Sequence, residues 1–140
     1  LLYHNALRLL TALFVHGDWT HLFGNLLFLG LFGSAVERAL KPWRLLILFL
    51  VAGGAANLFA ATLATTASAP IIGSSGAVSA LIGAFVLLYP HSHLGVVLPL
   101  GLYFQLVRVP AIHLIGMWLL FQVLETMGSR SGAIAWWAHV

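Results

Sequence analysis

Long apolar runs separated by short polar or glycine-containing turns dominate the pattern along this chain. The first run, residues 19–40, carries its only full charges, Glu37 and Arg38, at its far end. It is long enough to cross the roughly 30 Å of hydrocarbon in a bilayer. Pro42 is suited to begin the next helix, because the first helical position needs no N–H group. Residues 43–62 then form a second predicted span.

A third helix is predicted from Ser75 or Gly76 to Tyr89, where a glycine- and serine-rich turn gives way to apolar residues. It is short for a full span. Pro110 precedes a fourth apolar run, residues 111–127, which is read as another span.

Two segments show a weaker pattern. Residues 93–109 are apolar but are interrupted by Pro99 and Gly101, so we expect an interfacial or partly inserted segment that ends at Arg108. Residues 133–140 have the composition of the first turns of a fifth span. The polar turn before them, residues 128–132, would join the fourth and fifth spans.

The composition supports a membrane location. Of 140 residues, 61% are hydrophobic and only 6% are charged, against roughly 25% charged in ordinary soluble domains. We therefore expect a single all-α domain over residues 1–140, a polytopic transmembrane helix bundle with the lipid bilayer as its partner. Cysteine is absent, which excludes disulfides and a thiolate nucleophile. The six basic residues are scattered, so nucleic acid is not an expected ligand.

The distribution of basic residues predicts the orientation. The junction between the first two spans reads as cytoplasmic, which puts residues 91–108 on the same side and the turns at 16–20, 65–75 and 128–132 outside. Two basic residues then lie outside, Arg8 and Arg130, and four lie inside, Arg38, Lys41, Arg44 and Arg108. We expect a multi-pass protein of a bacterial inner membrane or an equivalent bilayer.

Four polar residues inside the apolar runs lie at a common predicted depth. His21 and Asn25 are near the outer end of the first span, Ser75 is at the outer start of the third helix, and His139 is in the last helix. Polar side chains within a bilayer are costly, so they normally face the bundle interior or a cavity and mark a functional site. The i, i+4 spacing of His21 and Asn25 lets both donate hydrogen bonds to one atom.

Ser75 has the surroundings of a nucleophile. It lies between Gly73 and Gly76, so little side-chain bulk would hinder an approaching carbonyl group. A serine hydroxyl needs a neighbouring base, usually histidine, and His139 is the candidate. The only acidic residues are placed at interfaces or at the opposite membrane face: Asp18, Glu37 and Glu125. The residues therefore favour a Ser-His dyad over a triad.

At these positions the chain resembles the rhomboid family of intramembrane serine proteases. The stretch from His21 to Asn25 is similar to the family's HxxxN, residues 73–76 to its GxSG, and Ala138-His139 to the start of its AHxxG. The resemblance implies Ser75 as nucleophile, His139 as base and then acid, and an oxyanion hole formed by His21, Asn25 and the Ser75 N–H group. It also implies a compact six-helix core, of which this chain resembles a fragment lacking the first helix and the end of the last.

The implied function is cleavage of transmembrane segments of other membrane proteins, without a metal or cofactor. The chain departs from the family at Ser79, where many members carry a tyrosine that supports the histidine. An alternative is an inactive relative that binds membrane clients without cutting them. A channel is a third possibility, but the inner halves of the spans are almost wholly apolar. The pair His91 and His93 is read as a solvated loop in preference to a metal site.

Overall fold

The computed structural model describes residues 2–63, 71–101 and 103–128. Its elements, in chain order, are α1 (Leu2–Thr11), a 3-10 turn (Ala12–Phe14), α2 (Trp19–Phe28), a π-helical segment (Leu29–Gly33), α3 (Ser34–Leu40), α4 (Pro42–Leu63), α5 (Ser75–Leu88), β1 (His93–Leu100), β2 (Tyr103–Pro110) and α6 (Ala111–Gly128). The predicted last helix, residues 133–140, and most of the turn before it lie outside the described residues.

The first predicted span is one continuous helical rod. It begins at Trp19 because the Asp18 carboxylate accepts a hydrogen bond of 2.8 Å from the His21 backbone N–H group, which caps the helix. The π-helical segment joins α2 to α3 without a break. At the end of α3, Lys41 adopts a φ of 75°, and Pro42 opens α4 as the sequence predicts.

The mostly helical architecture expected from the sequence is confirmed. Within the described ranges, two helical stretches are long and apolar enough to cross a membrane, Trp19–Leu40 and Pro42–Thr62. The apolar parts of α5 and α6, Ser75–Leu88 and Ala111–Leu124, are shorter. Helix α5 is thus short for a full span, as predicted, and the crossing by α6 stays a prediction.

Helix α5 lies at the centre of the bundle, and its N-terminus is held by close packing against α4. A side chain at Gly53 would come within 2.7 Å of Leu13 and 3.0 Å of the Ala77 methyl group. The absence of a side chain at Gly53 therefore allows α4 and α5 to approach each other closely. The main hydrophobic core consists of buried aromatic and aliphatic side chains from α2, α3, α5 and α6.

Strands β1 and β2 pair as an antiparallel β-hairpin, which the sequence pattern did not predict. The expectation that residues 93–109 are interfacial or partly inserted stays a prediction. The register pairs Leu94 with Val109 and Val96 with Val107, and these four side chains are partly buried at its base. Gly101 has a φ of 67° in the turn. The valines favour extended backbone. Pro99 and Gly101, which exclude a helix, are compatible with a two-stranded ribbon and its turn.

A second difference from the sequence prediction lies at the N-terminus. Residues 2–11 form helix α1, which is not among the elements predicted from the sequence. The helix is fastened to α4 by Asn57, whose side-chain Nδ2 donates a hydrogen bond of 2.8 Å to the Leu9 carbonyl. Asn57 is buried, so this bond satisfies a polar group inside the apolar bundle.

Candidate active site

The turn at residues 73–76 presents Ser75 as the first residue of α5. Gly73 has a φ of 102°, a conformation that is costly for residues with a side chain. Its N–H group donates a hydrogen bond of 2.9 Å to the Ala12 carbonyl, which fixes the turn against the 3-10 turn. Ser75 is 3% exposed. The N–H groups in the first turn of α5 have no acceptor within the helix.

His21 and Asn25 lie on one face of α2, directed at this turn. A side chain at Gly73 would come within 2.5 Å of His21 Nε2 and 3.8 Å of Asn25 Nδ2. Both side chains are therefore close to the backbone that leads into Ser75. The i, i+4 prediction of a common target for His21 and Asn25 agrees with this placement.

Asn25 is a buried polar residue whose side chain has no hydrogen-bond partner within the described part of the chain. It is 1% exposed, and neither Nδ2 nor Oδ1 is hydrogen-bonded there. An unsatisfied buried amide costs roughly 1–3 kcal/mol. Such a group is unusual in a folded protein, and a role in binding a ligand or a reacting atom is one of the explanations for it.

His16, just before α2, forms part of the wall around this site. Its ring meets that of His21 edge-on, with the ring centroids 5.0 Å apart. Burial lowers the pKa of His16 below its ordinary value of 6.5; the nearby His21 adds to this effect, and a hydrogen bond to the Phe14 backbone opposes it. The contact with His21 is compatible with a role for His16 in ordering the loop before α2.

The lowered pKa of His16 predicts a pH dependence of stability. The unfolded chain binds the His16 proton more readily than the folded chain does, so this contribution to the free energy of unfolding is fully present above about pH 6.5. It is lost as pH falls through the folded pKa. We expect the Tm to fall below pH 6.5, and His16→Gln to reduce this slope. His91→Gln, at an exposed histidine, is the control; an unchanged slope in His16→Gln would contradict the assignment.

The predicted general base, His139, lies outside the described residues, so its placement stays a prediction. In the described ranges, no group of three or more histidine and acidic residues is arranged to hold a metal ion. His91 and His93, which the sequence analysis weighed as a metal pair, are exposed beside and at the start of β1. Because His21 and Asn25 converge on the turn that leads into Ser75, these three residues form the candidate site for chemistry on a carbonyl group.

Comparison with known proteins agrees with the resemblance. A family model described as the rhomboid domain matches residues 3–140. A curated relative, Rhomboid-like protein 11, chloroplastic, from Arabidopsis thaliana, is 39% identical over 89 residues, which are 61% of this chain and 31% of the relative. The match thus spans about a third of that relative's length. No solved structure matches the chain.

These comparisons also bear on location. The relative is described as chloroplastic, so they give no support to the expectation of a bacterial inner membrane. Membership of a family that works in membranes agrees with the two long apolar helices and with the expected bilayer partner. Since the family model covers nearly the whole sequence, the chain belongs to the rhomboid family, which includes both proteases and inactive members.

Proposed function

We propose that this protein is an intramembrane serine endopeptidase that cleaves transmembrane segments of other membrane proteins with a dyad of Ser75 and His139. The observation that carries the proposal is the convergence of His21 and Asn25 on the turn that presents Ser75, with no hydrogen-bond partner for the Asn25 amide among the described residues. We further propose a multi-pass arrangement in which this site lies below the outer membrane surface.

The reaction follows from the chemistry of these groups. The Ser75 hydroxyl attacks the carbonyl carbon of the scissile peptide bond while its proton passes to His139. The tetrahedral intermediate collapses when its C–N bond breaks, and His139 gives the proton to the leaving amine. Water then attacks the ester formed with Ser75, again with His139 as base, and releases the acid and the free serine.

Charge develops on the carbonyl oxygen during both attacks. Asn25 Nδ2, His21 Nε2 and the Ser75 backbone N–H group are the proposed hydrogen-bond donors to this oxygen. Donors fixed in a dry environment cost little reorganisation as the charge forms, which makes them effective. The unsatisfied state of Asn25 fits this role, because its donor would be paired only when the oxyanion is present.

An open apolar groove between α2 and α6 supports a membrane-embedded substrate. It is lined by Trp19, Thr20, Phe23, Gly24, Leu27, Phe28, Met117 and Phe121. The groove is formed in part by α2, the helix that carries His21 and Asn25. A substrate helix must unwind locally to expose its amide, because helical peptide groups are already hydrogen-bonded. Substrates with helix-destabilising residues near the cut are therefore expected.

The oxyanion role of Asn25 makes a prediction that separates function from stability. Asn25→Leu, which keeps a similar shape without the amide, should lower kcat by about 10²- to 10³-fold with little change in KM. The Tm should not fall, because no hydrogen bond to Asn25 is lost among the described residues. Peptide cleavage and thermal unfolding measured on the same preparation check both parts.

Asn57→Leu is the matched control for that prediction. It also removes a buried amide, but that amide is hydrogen-bonded to the Leu9 carbonyl. It should lower the Tm and leave kcat of the remaining folded protein nearly unchanged. A lower Tm with unchanged kcat in Asn25→Leu would mean that Asn25 has a structural role only.

The proposed function is tested by incubating the full chain in lipid vesicles with a set of single-span reporter peptides that carry glycine or proline near the membrane surface. The products are identified by mass spectrometry. We expect cleavage within or next to the span, and its loss in His139→Ala. Binding of the reporters without any cleavage would instead identify an inactive family member that holds membrane clients.

A further inference from the structure

Trp118 lies directly beneath the proposed site, at the centre of the bundle. It is 1% exposed. Its Nε1–H group donates a hydrogen bond of 3.1 Å to Ser79 Oγ on α5. Its ring packs on Phe28 of α2, with centroids 4.8 Å apart and the planes inclined by 56°.

The two partners of Trp118 occupy equivalent positions below the proposed catalytic groups. Ser79 follows Ser75 by four residues on α5, and Phe28 follows Asn25 by three residues on α2. Residues three or four apart lie on the same helix face, one turn apart. The indole therefore connects the helix of the nucleophile to the helix of the oxyanion donors at one turn's depth below both.

We infer that Trp118 is a positioning residue for the proposed reaction, and that its hydrogen bond to Ser79 fixes the separation between Ser75 and Asn25. This inference rests on the proposed function. The indole has one donor and a rigid planar ring, so it sets both the spacing and the rotation of α5 relative to α2. The residue that departs from the family pattern, Ser79, is thus engaged by α6.

Two variants test the hydrogen bond. Trp118→Phe keeps an aromatic ring against Phe28 but removes the donor, and Ser79→Ala removes the acceptor. Each should lower the rate at which Ser75 reacts with a fluorophosphonate by about 10- to 100-fold, since small misplacements of reacting groups have effects of this size. The double variant should react no more slowly than the slower single variant, because both remove one interaction.

Several readouts separate positioning from general stability. In peptide cleavage, kcat should fall and KM should stay nearly constant in both single variants. Ser79→Thr, which keeps the hydroxyl group, should have a kcat close to that of the wild-type chain. Ser79→Ala should shift the NMR resonance of the Trp118 indole proton. Trp43→Phe is the control at an exposed tryptophan and should change neither the labelling rate nor kcat.

The outcomes are distinct. If the wild-type chain is labelled and Trp118→Phe is labelled at the same rate, the inference is wrong and the proposed function stands. If the effects of Trp118→Phe and Ser79→Ala multiply in the double variant, the two residues do not act through one bond, and the inference is again overturned. A wild-type chain that neither reacts with the probe nor cleaves peptides overturns the proposed function and this inference together.

Discussion

Ser75→Ala is expected to abolish reaction with a fluorophosphonate and to lower peptide cleavage by at least about 10³-fold. The probe reacts when a serine oxygen attacks phosphorus and fluoride leaves, so the reaction requires an activated hydroxyl. Removing that hydroxyl leaves only binding and oxyanion stabilisation, which supply a small part of the catalysis in serine hydrolases. Gel detection of the labelled protein and a cleavage assay measure the two effects.

Ser74→Ala provides a close control for this result. Ser74 is also buried, directly precedes Ser75, and makes no side-chain cap bond to α5. If Ser75 is the nucleophile, Ser74→Ala keeps most of the labelling and cleavage. Labelling that survives in Ser75→Ala and disappears in Ser74→Ala would show that Ser74, and not Ser75, is the nucleophile.

Gly73→Ala is expected to lower kcat by about 100-fold. The φ of 102° costs any residue with a side chain about 1–2 kcal/mol. In addition, the new methyl group would lie within 2.5 Å of His21 Nε2, so the imidazole must move away from the turn. A displacement of about 1 Å in a reacting group is enough for a loss of this size. Cleavage kinetics and Tm are to be measured together.

Gly101→Ala is the control that distinguishes the effect of backbone strain from the effect of displacing His21. Gly101 has a φ of 67° in the hairpin turn, and a side chain there would meet no described atom within 4 Å. Gly101→Ala should lower the Tm by no more than Gly73→Ala does, and it should leave the rate of cleavage nearly unchanged. Equal losses of activity in the two glycine variants would show that activity follows stability and not the position of His21.

The residues of the candidate site on α2 and α5 were predictable because polar side chains within apolar helices are rare and have few roles. The spacing of His21 and Asn25 indicated a common face, and the glycines around Ser75 indicated an open helix start. These are local properties of the sequence. The convergence of the two helices on one turn agrees with them.

Other features depend on contacts between distant parts of the chain. The apolar residues of the hairpin have no helical period to distinguish them from a membrane segment, and their strand character depends on pairing between β1 and β2. The hydrogen bonds of Trp118 to Ser79 and of Asn57 to Leu9 join residues 39 and 48 positions apart. No local pattern indicates such partners.

The central claim is that Ser75 and His139 form a dyad on one side of the bilayer. An experimental structure of the full chain after reaction with a fluorophosphonate tests it most directly. We predict a covalent bond from Ser75 Oγ to phosphorus and a nitrogen of His139 within about 3.2 Å of that oxygen. A structure with His139 at the opposite membrane face, or separated from Ser75 by another helix, would contradict the account.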